Sequence, residues 1–194
     1  MKYISIDIET SGLSPENNQI LSIGAIIEDT ELKLPYEQVP KFYCLVEQHT
    51  IHGSIFALNL NSEIIKELGD YQAGKSIPSK VYDPWQVVKK LQDFITENNG
   101  FVKGKGGDKF YINVAGKNFH NFDLKFLEQL PRWSETFEVA RRSIDPSIFF
   151  TDWKEDKEIP NLEKCKERAG FNSHVSHNAL EDAWDVVELL RKQY

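Results

Sequence analysis

Residues 2–9 (Lys-Tyr-Ile-Ser-Ile-Asp-Ile-Glu) alternate apolar and polar side chains, the pattern of a β-strand. Successive side chains on a strand point to opposite faces. Ile4, Ile6 and Ile8 therefore share one face, and Ser5, Asp7 and Glu9 share the other. The two acids lie two residues apart, roughly 6–7 Å between Cα atoms from the strand rise. Carboxylates that close repel each other unless a cation sits between them. A hard divalent metal with oxygen ligands suits such a pair. The other reading is an acidic strand end that faces water.

The length, 194 residues, suits one domain spanning 1–194. Apolar residues make up 40% and charged residues 27% of the chain, the proportions of a soluble globular protein. No apolar run is long enough to span a bilayer. Asp7 and Glu9 interrupt the N-terminal apolar pattern, so no signal peptide is expected there. Cys44 and Cys165 stand far apart, fit no metal spacing and read as buried free thiols. The expectation is a cytoplasmic protein with no membrane contact. The net charge of −7 argues against non-specific binding of long nucleic acid. A nucleic-acid substrate would be held at a local site with few phosphate contacts, which favours short or single-stranded ends.

Residues 20–27 form a second strand, nearly all apolar and so central, and 41–47 a third. Short connections between the three suggest an antiparallel meander. Residues 61–68 read as a short helix. Asp83-Pro84 opens a longer one through Asn98, a cap followed by proline in the first turn. Residues 110–115 read as a fourth strand, 121–130 as a helix stopped by Pro131, and 143–149 as a fifth short strand. Asn161–Ala169 is a helix closed by Gly170, and the last helix runs from about Asn178 to Lys192. Residues 100–108, rich in glycine and lysine, read as a mobile loop without the spacing of a phosphate-binding P-loop.

Two more acids stand out. Asp123 opens a helix after the fourth strand, where the helix dipole alone would favour it. Asp182 lies one turn into the last helix, whose start, Asn178-x-x-Glu181, resembles a capping box. That start leaves His177 outside the helix. The main apolar stripe of this helix is Leu180, Trp184, Val187 and Leu190. Asp182 lies off it, nearer a smaller face of Ala179, Ala183 and Val186, and periodicity alone makes it solvated. The other histidines, His49, His52, His120 and His174, fit no comparable pattern.

Asp7-x-Glu9, then Asn118-x4-Asp123-x2-Phe126-Leu127, then His177-x-Ala-x2-Asp182 resembles the three exonuclease motifs of the DEDDh 3′-to-5′ exonucleases. That family includes the proofreading subunit of the bacterial replicative polymerase, RNase T and oligoribonuclease. The motifs occur in order across almost the whole chain, with Thr10-Ser-Gly-Leu13 after the first. The resemblance implies an α/β, RNase H-like fold: a mixed five-stranded sheet flanked by helices, with the first two acids on its central strand. It also implies two divalent ions, Mg2+ or Mn2+. Asp7 would bridge both, Glu9 and Asp182 would complete the tighter site, and Asp123 would support the second. His177 would deprotonate the attacking water. Leu13 would wedge against the terminal base, the Thr10 backbone would contact the terminal sugar, and Asn118 would bind substrate. The partners implied are nucleic-acid 3′ ends, single-stranded or short, and a homodimer is compatible because several relatives are dimers. Polymerase-type members usually carry asparagine four residues before the second-motif aspartate. Here Phe119 stands there and Asn118 lies five before, a spacing closer to oligoribonuclease, and the subfamily stays open.

The implied chemistry is self-consistent. In-line attack on a phosphodiester needs charge neutralised on attacking and leaving oxygens, which two metals supply, and a base that titrates near neutrality. Two rivals remain: a catalytically silent RNase H-like module that binds nucleic acid or protein, and an internally cutting nuclease of the same fold. Preference for DNA or RNA has no motif here.

Overall fold

The structure, a computed structural model, describes residues 1–173 and 176–194. Its elements in chain order begin with β1 (Lys2–Thr10), β2 (Ile20–Asp29) and β3 (Lys41–Val46). Then come α1 (Ile55–Leu60), α2 (Ser62–Gln72), β4 (Val81–Tyr82) and α3 (Pro84–Glu97). β5 (Phe110–Ile112), β6 (Val114–Ala115), α4 (Asp123–Leu127), α5 (Trp133–Thr136) and β7 (Phe137–Val139) follow. A 3₁₀ turn (Pro146–Phe150), α6 (Leu162–Ala169) and α7 (Ala179–Arg191) complete the chain.

The main sheet has five strands in the order β4-β3-β2-β1-β6. β1, β2 and β3 form the antiparallel meander, while β6 joins β1 and β4 joins β3 in parallel. The sheet is therefore mixed, as expected. The apolar β2 lies in the middle; β1 sits beside it and is paired on both sides, rather than being the central strand.

The alternation in β1 divides the layers. Ile4, Ile6 and Ile8 pack with Val87, Val88, Leu91 and Ile95 of α3 and with Phe126 and Leu127 of α4. On the other face Tyr3, Ile26 and Ala115 pack against Ala183, Val186, Val187 and Leu190 of α7. α3 begins where Asp83 accepts hydrogen bonds from the backbone N–H of Trp85 (2.8 Å) and Gln86 (3.2 Å), with Pro84 supplying no donor. α7 begins where the Asn178 side chain accepts from Leu180 and Glu181, and α6 ends at Gly170 in the left-handed region (φ 77°).

α7 crosses β2 at close range. Gly24 is the cross-strand partner of Asp7. A Cβ there would collide with the Ala179 carbonyl and the Leu180 nitrogen. Further along, the Ser5 hydroxyl donates to the Ala183 carbonyl at 2.8 Å. At the far end the fully buried Glu28 of β2 accepts from Arg191 Nε (2.9 Å) and Nη2 (2.6 Å), and Arg191 also donates to the Leu34 carbonyl.

Four expectations change. Residues 110–115 are two strands, because Asn113 turns the chain between sheets: its carbonyl accepts from Ile4 N–H and its amide donates to the Lys2 carbonyl. β5 pairs with β7 in a separate two-stranded sheet, and only β6 joins β1. Residues 143–149 are not the fifth strand. Ile144 makes one bridge to Ala115, then Pro146 ends pairing and Asp145 caps the 3₁₀ turn. The fifth strand of the sheet is β4, at the opposite edge. The helix expected over 121–130 is regular only over Asp123–Leu127 and ends in i→i+3 turns at Gln129 and Leu130. Residues 100–108 are fastened at their base, where Val102 N–H donates to the Tyr111 carbonyl and the Phe101 and Phe110 rings meet edge-on. Cys44 and Cys165 are buried free thiols, as expected.

Gly24→Ala should lower stability by about 1–3 kcal/mol, the usual cost of overpacking. Gly69→Ala in α2 meets open space and should stabilise by roughly 0.5–1 kcal/mol. Denaturant melts of the two variants check the pair.

Candidate active site

Four acids from three separate segments meet at the C-terminal end of β1. Asp7 and Glu9 project from the α7 side of that strand. A register shift between Glu9 and Thr10 bends its end, and bulges of this kind re-aim side chains beside functional sites. Asp123 is brought in at the first turn of α4, where the chain leaves β6 and turns through Asn118 in the left-handed region (φ 54°). Asp182 arrives on α7, which can lie close because the residue beneath its first turn is Gly24. Glu9, Asp123 and Asp182 are each at least nine-tenths buried, and Asp7 is part-buried. Asp182 is thus buried, whereas its helical period alone would leave it solvated. The buried side of α7 joins the small face of Ala179, Ala183 and Val186 to Val187 and Leu190 of the expected stripe, while Leu180 and Trp184 are only half-buried.

Burial and mutual repulsion leave these groups reluctant to ionise. Desolvation, then the charges of Asp123, Asp182 and Glu9, push the Asp7 carboxyl well above its usual range. Burial and Asp182 raise Glu9 to about 7, against a hydrogen bond from Asn61 that favours its charged form. Burial raises Asp123 to about 8, although backbone N–H groups of Asp123 and Ile8 hold it down in part. Burial and Asp185 raise Asp182 to about 7, opposed by Ser176 and Lys166. Four acids in one place with raised pKa values are what a cation would relieve.

His177 stands just before α7, exposed, with φ 51°. A ring nitrogen of His177 and carboxylate oxygens of Glu9 and Asp182 all lie within 4.8 Å of one another. Left-handed backbone on a non-glycine residue costs energy and clusters at functional sites. The donor set, oxygen-rich with one imidazole, fits a hard divalent ion. His174 lies outside the described residues.

Thr10 and Leu13 follow Glu9 closely in the chain, and Asn118 precedes Asp123 by five residues. Thr10 is buried, and its hydroxyl donates to the Gly12 carbonyl at 2.7 Å. The loop that follows is fastened by Ser11, whose hydroxyl donates to the His52 carbonyl and whose N–H donates to the Gln19 carbonyl. Leu13 on this loop is 84% exposed, free to meet a ligand. Asn118 is exposed and accepts a hydrogen bond from the Asn121 amide. Phe119, at the position where the polymerase-type pattern has asparagine, is fully buried in the core.

Sequence reasoning missed Asn61 and Lys166. Asn61, buried between α1 and α2, donates to the Thr10 carbonyl at 3.2 Å and to Glu9. Lys166 meets Asp185 one turn beyond Asp182. Neither lies in a motif. A lysine expected to be buried on an otherwise polar helix would have been the one available signal, and α6 is too polar to reveal it.

No family model matches the chain. The chain is 24% identical over 190 residues to the oligoribonuclease of Vibrio parahaemolyticus serotype O3:K6, across 97% of this chain and 91% of that protein. It is 20% identical over 199 residues to the oligoribonuclease of Neisseria meningitidis serogroup C, across 96% and 87%. Among solved structures it resembles the nuclease domain of 3′hExo, a DEDDh family member, bound to rAMP. The TM-score is 0.68 at 17% identity, covering 99% of this chain and 90% of that one. E. coli Exonuclease I in complex with a dT13 oligonucleotide gives a TM-score of 0.64 at 15% identity, covering 98% of this chain and 40% of that larger one. The solved structures show the RNase H-like exonuclease fold. The chain is thus similar to oligoribonucleases along nearly its whole length, shares the fold of a DEDDh exonuclease, and draws the four acids of the three motifs together.

Proposed function

We propose that this chain, as one exonuclease domain over residues 1–194, removes nucleoside monophosphates from the 3′ ends of short or single-stranded nucleic acid with the help of divalent metal. The observation that carries the reading is the convergence of Asp7, Glu9, Asp123 and Asp182, with His177 beside two of them. The likeness to oligoribonucleases and the net charge of −7 both favour short substrates over long duplex. A homodimer, compatible with the resemblance because several relatives are dimers, belongs to the same proposal, and light scattering gives the mass.

Asp7, Glu9, Asp123 and Asp182 would hold two ions, Mg2+ or Mn2+. Bound there, the ions neutralise charge on the attacking and leaving oxygens of the phosphodiester. The residues supply the rest. Asp7, facing all three other acids, would be the carboxylate common to both ions. Glu9 and Asp182 would help hold one, and Asp123 would support the other. His177, exposed at the rim, takes the proton from the attacking water. Leu13 packs against the terminal base, and the Thr10 backbone and Asn118 hold the end of the strand. Digestion of end-labelled DNA and RNA oligomers of several lengths with Mg2+ or Mn2+ tests the reading; products other than mononucleotides would overturn it.

The raised carboxyl groups set a pH dependence for the metal-free protein. Folded values of about 7–8 for Glu9, Asp123 and Asp182 exceed their ordinary values near 4. The folded state therefore holds protons that the unfolded state releases, and stability falls as pH rises through that range. In EDTA the melting temperature should be higher at pH 6 than at pH 8.5. Mn2+ at 100-fold over its dissociation constant adds about 2.7 kcal/mol and should flatten the pH trend. Identical melts with Mn2+ and EDTA at pH 8.5 would remove the metal site.

Asp7→Asn should cost far more turnover than Leu13→Ala. The first removes the carboxylate common to both ion positions, and the second loosens only the strand end. Near-wild-type turnover in Asp7→Asn would show the first motif to be wrongly assigned.

His177→Ala should reduce turnover by about 10²–10⁴-fold, the usual worth of a general base, and leave Mn2+ binding nearly intact. Loss of Mn2+ binding in this variant would instead make His177 a ligand.

A further inference from the structure

A fifth carboxylate stands next to the cluster. Asp185 lies one turn beyond Asp182 on α7, and residues three apart on a helix are surface neighbours. Its charge reaches both Asp182 and Asp7. It is met by the ammonium of Lys166, from the middle of α6, at 2.5 Å. The Lys166 side chain is 8% exposed and that of Asp185 14%.

Stability is a weak reason for such a pair. Removing two charges from water costs about as much as their attraction returns, and well-packed apolar replacements are often as stable or more so. Of the other seven ion pairs among the described residues, Arg191–Glu28 is comparably buried (19% and 0% exposed) but ties the far end of α7 to β2, and the remaining six are more exposed.

Charge balance supplies a reason. Four ionised carboxylates carry the charge that two divalent ions neutralise. Asp185 adds one negative charge too many at the same end of α7, and Lys166 cancels it.

We propose that Lys166 and Asp185 are positioning residues that keep the four-acid site at the charge of two divalent ions, Lys166 by neutralising the neighbouring carboxylate and Asp185 by holding the ammonium away from Asp182. The inference rests on the metal-site reading above. It makes the two members of the pair act with opposite sign. Asp185→Asn leaves the positive charge of Lys166 beside the site without the carboxylate that offsets it, so cations bind more weakly. Lys166→Met leaves the negative charge of Asp185 in place, so cations bind more tightly. Lys166→Met/Asp185→Asn removes both charges and restores the balance.

Calorimetric titration of Mn2+ into the metal-free protein, without substrate, reads the effect. Asp185→Asn should weaken apparent Mn2+ affinity by roughly five- to tenfold, from the interaction of a unit charge with a divalent ion across about one helical turn at high effective dielectric. Lys166→Met should tighten it by a similar factor, and the double variant should return to within about twofold of wild type. Where Lys166→Met fails to fold, the comparison of Asp185→Asn with the double variant carries the test, because restoration by a second substitution is not the behaviour of a packing defect. Weakening in both single variants, or a double variant weaker than either, would show a packing role only and overturn the inference. Absence of Mn2+ binding to wild type would instead overturn the metal-site reading, and the inference with it.

Discussion

The close passage of α7 over β2 at Gly24 is the contact on which the site depends. A helix packed on a sheet through ordinary side chains stands well off it. Here the residue under the first turn has no side chain, and the helix presents Ala179 and Ala183 to the sheet. Its backbone comes near enough for the Ser5 hydroxyl of β1 to reach the Ala183 carbonyl. The same approach brings Asp182 to the strand face that carries Asp7 and Glu9. A bulkier residue at position 24 would push the helix away and separate the fourth acid from the first two.

What results is an arrangement the fold must sustain against its own electrostatics. Like charges with depleted hydration favour neutral forms, so the metal-free site carries a cost that a cation would lift. His177 and Asn118 add left-handed backbone at the two approaches to the cluster. Sites of this kind trade stability for chemistry, with the surrounding layers making good the difference. The α3 core beneath Ile4, Ile6 and Ile8 and the α7 core above Tyr3 and Ala115 grip β1 from both sides.

Much of this was legible in the chain itself, for physical reasons. The alternation of β1, the apolar run of β2, and the caps at Asp83, Asn161 and Asn178 are local signals, and each produced the element it announces. The acids were readable because motif spacing survives where overall identity does not. Asp182 shows the limit of periodicity: of the expected stripe, Val187 and Leu190 are buried but Leu180 and Trp184 lie on a flank, and at the N-terminal end of α7 it is Ala179 and Ala183 that are buried instead. The two residues of β4 are too few to carry a pattern, and a single asparagine, Asn113, divides what looks like one strand between two sheets. Asn61 and Lys166 act through partners more than fifteen residues away in the chain, and no local window contains both ends of such a contact.

The ion pair between Glu28 and Arg191 gives α7 a second fixed point. Gly24 and Glu28 lie on the same strand, about 13 Å apart at the usual rise, and they receive the first and last turns of a helix of 13 residues. A slip of the helix by one turn, about 5.4 Å, would drive a side chain into the glycine gap and pull a buried carboxylate from its only guanidinium among the described residues. Both ends are therefore in register or neither is. The helix works as a ruler clamped at its two marks along β2, and the depth at which Asp182 enters the cluster is gauged partly from the opposite end of the sheet.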